Sequence, residues 1–249
     1  RDLNKRNLRM SWVNHHEKHF KDTIVRHQQV VSSMEYHDRD LFKELIPAAH
    51  QREMKVYIRM LEAGANRAEY IKNYDKVMVE DVYGKSGSGP CWNNPDYRNW
   101  VYATMEDIFS HYDVDGLQYG AERTGPLSMV WFRGEIPACF CEHCRSRNAA
   151  KNIDPKRARE GYRKMYEFMQ KVESGQNDSH DTVMVNLFRF MQEYPEIMGW
   201  NYQWFQADEE IQREMYRRLK EIRPNALVGR HVDHQRSSWD IFYRSAFHY

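Results

Sequence analysis

Three segments of the chain are dense in β-forming residues, and amphipathic stretches separate them. Lys55 to Ala63 ("KVYIRMLEA"), Val114 to Gly120 ("VDGLQYG") and Ala226 to Val232 ("ALVGRHV") read as buried strands. Two earlier stretches, "LRMSWV" and "IVRHQQVV", are weaker strand candidates.

Helical spacing accounts for much of the rest. Leu41 to Glu53 predicts a helix with Leu45, Ala48 and Ala49 on one face and a kink at Pro47. Asn94-Pro95 has the form of an N-cap followed by proline at the first helical position. Trp100, Val101, Met105, Ile108 and Tyr112 then keep the helical period. Asp154-Pro155 opens another helix, whose apolar face is Ala158, Tyr162, Met165, Phe168, Met169 and Val172. Val183 to Tyr194 is amphipathic and is stopped by Pro195. Ile211, Met215, Leu219 and Ile222 mark a last helix, ended by Pro224.

Strands alternating with helices imply parallel βαβ units. The loops that follow strands, 82–96 and 121–153, are longer than those that precede them. A (β/α)8 TIM barrel carries its chemistry on loops of that kind. The expectation is an α/β fold of TIM-barrel type, one domain over 1–249, with too few βα units for eight. The chain opens without Met and ends in an aromatic run, so both ends read as cuts in a partial barrel.

Composition narrows the partners. The 249 residues carry a formal net charge of +1, against the basic excess expected of a nucleic-acid binder. No run of 18 apolar residues suggests a membrane span. A homo-oligomer is compatible with this composition, and the compartment, cytoplasmic or exported, is left open.

The four cysteines are the sharpest chemical signal: Cys91, then Cys139-x-Cys141-x-x-Cys144. Clustered disulfides would add little to a chain with a good core. A C-x-x-C redox pair would use Cys141 and Cys144 but leave Cys139 and Cys91 without a role. A tetrahedral Zn2+ site uses all four, and a closed S4 shell is structural. An iron–sulfur cluster is a further reading, and His143 inside the knuckle is an alternative ligand.

Other motifs carry less. His15 and His19 are spaced as in a zincin, but His16 stands where that motif needs Glu, so a solvated polar segment is expected. Gly84-Lys85-Ser86 lacks the upstream glycine of a P-loop. Asn177-Asp178-Ser179 is a glycosylation sequon of a kind that arises often by chance.

Glycoside cleavage needs two carboxyls flanking the scissile bond. Strand-end candidates are Glu62, Glu122 and Asp233, with Glu135 in a loop and Asp115 at the opposite end of its strand, where stability is the expected role. Arg59 beside Glu62, Arg123 beside Glu122, and His231, Asp233 and His234 are candidate substrate-binding groups. Trp92, Tyr119 and Trp131 are candidate aromatic platforms for a sugar, whereas Trp100 belongs to a helix core.

The segments "PCWNNPDYRNW", "VDGLQYGAERTGPL", "ACFCEHCR" and "VGRHVDHQRSSWDIFYR" together resemble family 42 β-galactosidases and related TIM-barrel glycoside hydrolases. That resemblance implies a structural zinc on the four cysteines and retaining hydrolysis of a carbohydrate. It implies Glu122 as general acid/base and a nucleophile on a later strand. Ala121 stands where the family usually has Asn. The alternative is a catalytically inactive carbohydrate-binding barrel that keeps the zinc.

Overall fold

A computed structural model describes residues 16–27, 40–61, 71–120, 123, 125–176 and 180–230. The chain groups into two compact units, one made of 1–77, 95–121 and 212–231, the other of 78–94, 122–211 and 232–249.

The first unit is built on a parallel sheet. Strands β2 (Tyr57–Leu61), β6 (Gly116–Gly120) and β7 (Leu227–Arg230) pair in the order β2-β6-β7. Tyr57 lies opposite Gly116 and Gly116 opposite Leu227, so the three strands run side by side in one direction. Each lies within one of the three strands read from the sequence. Their parallel pairing is the βαβ organisation expected, and among the described residues this sheet has three strands.

A short antiparallel pair, β1 (Arg26–His27) and β3 (Ile71–Lys72), belongs to the same unit. The remainder of "IVRHQQVV" from Gln28 onward, and all of "LRMSWV", lie outside the described residues.

Asp115 knits the start of the sheet. Its carboxylate accepts from Val56 N–H at 2.7 Å and contacts His50 Nε2 at 2.9 Å. Its main-chain N–H donates to Val56 O, and its carbonyl accepts from Leu227 N–H, both at 2.9 Å. One residue thus satisfies backbone groups on both neighbouring segments, the stability role expected of it. Gly116 follows because a Cβ there would sit 2.5 Å from Leu227 O and 2.6 Å from the Tyr57 ring.

Helix α1 (Leu41–His50) is capped by Asp40, whose carboxylate accepts from Lys43 N–H. Among its described side chains Ile46 is buried, while Leu45 is 56% exposed. The expected apolar face was therefore turned by one residue, and the helix stops three residues earlier than expected. Helix α2 (Pro95–His111) begins at the proline its sequence announced. It buries Trp100, Val101, Met105 and Ile108, with Tyr112 just beyond its end, as its periodicity required.

The second unit contains an antiparallel hairpin, β4 (Met78–Glu80) with β5 (Ser86–Pro90). Its turn uses Gly84 at φ +83°, and Asp81 Oδ1 accepts from the N–H groups of Tyr83 and Lys85. The Gly84-Lys85-Ser86 run is thus a hairpin turn. The long loop 121–153 holds α3 (Pro126–Arg133) and α4 (Glu142–Ala149). Helices α5 (Pro155–Glu173) and α6 (His180–Glu193) match their sequence signals, and Asp154 caps α5 through the N–H groups of Lys156 and Arg157.

Helix α7 (Glu196–Ile222) is far longer than its apolar period from Ile211 suggested. Its first half buries Ile197, Trp200, Trp204 and Phe205 together with polar Asn201, Gln203 and Asp208. Burial on several sides erases the single apolar stripe that sequence reading relies on. Among the described residues, no helix is long and apolar enough to cross a membrane.

Candidate metal centre

Three local structures of the second unit deliver the cysteines. Cys91 follows the last residue of β5. Cys139 lies on an extended segment laid against β4: Ala138 bridges Asp81, Val82 N–H donates to Pro137 O, and Phe140 N–H donates to Glu80 O at 2.7 Å. Cys141 is the N-cap residue of α4, and Cys144 lies in that helix's first turn. The i, i+3 spacing puts both sulfurs at a helix N-terminus, where the free N–H groups favour negative charge.

The four sulfurs converge to within 4.8 Å of one another and can hold a metal ion. Cys91 Sγ is 3.5 Å from Cys144 Sγ and 3.4 Å from Cys141 Sγ. A disulfide bond is about 2.05 Å long, so these are separate thiols rather than bridges. The edges of an S4 tetrahedron around an ion with bonds of about 2.3 Å measure about 3.8 Å. The observed spacing falls close to that.

Outer hydrogen bonds aim the sulfurs. Glu80 N–H donates to Cys139 Sγ at 3.4 Å and Asn93 Nδ2 to Cys144 Sγ at 3.3 Å. Cys91, Cys139 and Cys144 are buried. Charge in so dry a place is costly. The Cys139 sulfur, ahead of those of Cys144 and Cys91, holds Cys141 far below the usual thiol range. Burial, then the Cys141 and Cys91 sulfurs, pushes Cys139 up against an opposing pull from Cys144; the Cys139 sulfur, then Cys141 and Cys91, pushes Cys144 up. A divalent cation would supply the counter-charge that four clustered sulfurs need there. The donor set therefore fits such an ion, with His143 outside it.

Around the cluster the packing is aromatic. Phe140 stacks on Trp200 at 5.0 Å and meets Tyr162 edge-on, while Trp200 Nε1–H donates to Cys139 O at 3.2 Å. Glu80 pairs with Arg159 at 3.1 Å and Arg145 at 3.5 Å, and Arg145 also donates to Phe140 O.

The candidate substrate groups fall in different places. Trp92 is 3% exposed, with Trp204 at 4.2 Å and the Arg123 guanidinium 4.2 Å over its ring. Arg123 also donates to Pro90 O at 2.6 Å. The accessible face expected of Trp92 is thus occupied by the chain itself. Tyr119 and Trp131 are buried too, the former in β6. Arg59 is exposed on β2, and Glu135 pairs with Arg133. Glu62, Glu122, His231, Asp233 and His234 lie outside the described residues, as do His15 and the sequon at 177–179.

A second cluster escaped the sequence reading. In the first unit, His16, Asp107 and His111 place ligand-type atoms within 4.8 Å of one another. Asp107 Oδ1 is 2.7 Å from His16 Nδ1, 3.0 Å from His111 Nδ1 and 3.9 Å from His19 Nε2. His16 and His19 are therefore not the solvated segment expected. The available signal was paired spacing, His16-x-x-His19 and Asp107-x-x-x-His111, but 91 residues separate His16 from Asp107.

No protein-family model matches the chain, and no curated protein matches it. Among solved structures it is similar to α-L-fucosidase isoenzyme 2 from Paenibacillus thiaminolyticus. Identity is 18% with a TM-score of 0.42, covering 90% of this chain and 30% of that one. The chain thus spans under a third of that protein's length.

Proposed function

We propose that this chain is part of a glycoside hydrolase-like protein with a TIM-barrel-type fold and a structural zinc on Cys91, Cys139, Cys141 and Cys144. The substrate is a carbohydrate, β-galactoside-like by the resemblance to family 42, and the mechanism is retaining. One observation carries the reading: β2, β6 and β7 are parallel neighbours, and the candidate groups follow their C-terminal ends in sequence. Glu62 is the next residue after β2, Glu122 the second after β6, and His231 the next after β7. Parallel α/β sheets gather their chemistry at that end of the strands.

Glu122 protonates the leaving-group oxygen and then takes a proton from the attacking water. The nucleophilic carboxylate, at about 5 Å in retaining enzymes, belongs to a later strand. Four thiolates fill a tetrahedral shell, so zinc supports the fold and leaves no position for substrate. Arg59, Glu62, His231, Asp233 and His234 are the groups for sugar hydroxyls.

Glu122→Gln in the full-length protein, assayed on a panel of aryl glycosides, is expected to lower hydrolysis by at least about a hundredfold, the low end of acid–base catalysis. Unchanged hydrolysis of every glycoside the parent cleaves overturns the assignment. Ala121, in the position where the family carries Asn, favours a second reading: a barrel that binds carbohydrate without cleaving it. Calorimetric binding with no turnover on the panel supports that reading.

A further inference from the structure

We infer that His16, Asp107 and His111 form a second metal site, with His19 at its edge, for a divalent first-row transition ion, separate from the cysteines and independent of the glycosidase reading. The 3-10 turn Glu17–His19, entered from His16, repeats every three residues, so His16 and His19 share a side. On α2 the i, i+4 spacing does the same for Asp107 and His111. His16, Asp107 and His111 thus bring ligand atoms within 4.8 Å of one another, with His19 beside them.

The centre is a single buried oxygen. Asp107 is 3% exposed, and among the described residues its ion pairs are to histidines. Its Oδ2 accepts from His16 N–H at 2.9 Å, which fixes the carboxylate and leaves Oδ1 facing the three imidazoles. The His16 and His111 rings stack at 3.6 Å, nearly parallel, and His19 meets His111 edge-on at 5.5 Å.

Hydrogen bonding alone accounts for two of the three rings. His16 Nδ1 is satisfied by Oδ1, and His111 Nδ1 by Oδ1 or by Asp107 O at 2.8 Å. His19 Nε2 is buried and has no hydrogen-bond partner among the described residues, although it faces the same oxygen. An ion held by His16, Asp107 and His111, whose ligand atoms lie within 4.8 Å of one another, stands beside that nitrogen. With bonds of about 2.0–2.1 Å, neighbouring ligand atoms in a tetrahedral shell lie about 3.3 Å apart. The separations from Oδ1, 2.7, 3.0 and 3.9 Å, bracket that value. Imidazole nitrogens with one carboxylate suit zinc, cobalt or nickel in preference to magnesium or calcium. His16, 37% exposed, leaves an edge open for entry.

Cobalt(II) is the probe, titrated into the reduced full chain. The expected result is two ions per chain: one with thiolate-to-cobalt charge-transfer absorption, and one with ligand-field bands alone. Asp107→Asn keeps a hydrogen-bond acceptor while removing the charge. It is expected to lose the second ion and keep the first, as is His16→Gln. Wild-type protein that takes up no ion beyond the thiolate-bound one overturns the inference, whether or not the variants fold. A second ion retained by both variants overturns it as well. Failure of the glycosidase reading leaves either outcome legible, because the count does not depend on turnover.

Discussion

The cysteine and histidine clusters gather metal-ligand-type side chains in opposite ways. The cysteines come from a hairpin, an extended segment and a helix start, and all but Cys141 are buried. Their identity and the C-x-C-x-x-C spacing show in the sequence. The histidine cluster gathers around one carboxylate, and three of its four members are partly exposed. Nothing local joins its halves. Thiolates announce a metal site by composition, whereas imidazoles and carboxylates do so only when folding brings them together.

Removing a sulfur gives the largest effect separating these regions. Cys139→Ser is expected to release the ion and lower the melting temperature by roughly 10 °C or more, since the binding energy of a structural metal is folding energy. A thermal melt with and without chelator checks this. A Cys139→Ser melt equal to that of the parent would make the sulfur cluster an ornament of the core.

The aromatic wall around the cysteines comes next. Trp200→Ala removes the stack on Phe140 and the hydrogen bond to Cys139 O, and is expected to cost about 3–5 kcal/mol. Denaturant unfolding measures it, and Trp200→Phe should recover most of the packing but not the hydrogen bond.

The smallest effect belongs to the sheet start. Val56 N–H, then His50, holds the Asp115 carboxyl below its ordinary value. A carboxylate depressed on folding contributes stability that is complete above its unfolded pKa, about 3.9, and is lost as pH falls through the folded value. Asp115→Asn is expected to cost about 1 kcal/mol at neutral pH and to flatten the acid side of the stability curve. Unfolding as a function of pH would show an unaltered acid slope if the contact were idle.

Legibility followed local physics. Strands β2, β6 and β7 were readable because apolar β-formers fill them, and α5 because its apolar face keeps one period. The hairpin strand Ser86–Pro90 was not, since "SGSGP" has no β-former. Its pairing uses a missing side chain, as a Cβ on Gly87 would sit 2.6 Å from Val79 Cγ2. Helix α4 ("EHCRSRNA") lacks an apolar stripe, and its N-cap residue Cys141 makes no side-chain capping bond that sequence could signal. Trp92 had the composition of a sugar platform, yet Arg123 and Trp204 cover it, which residue type alone cannot show.

The central claim, one zinc held by four thiolates, has a direct measurement. Titration of the native protein with an organomercurial, counting zinc released against thiols modified, is predicted to free one zinc per chain as the four thiols react. Fewer than four reactive thiols, or four thiols with no zinc released, would contradict it.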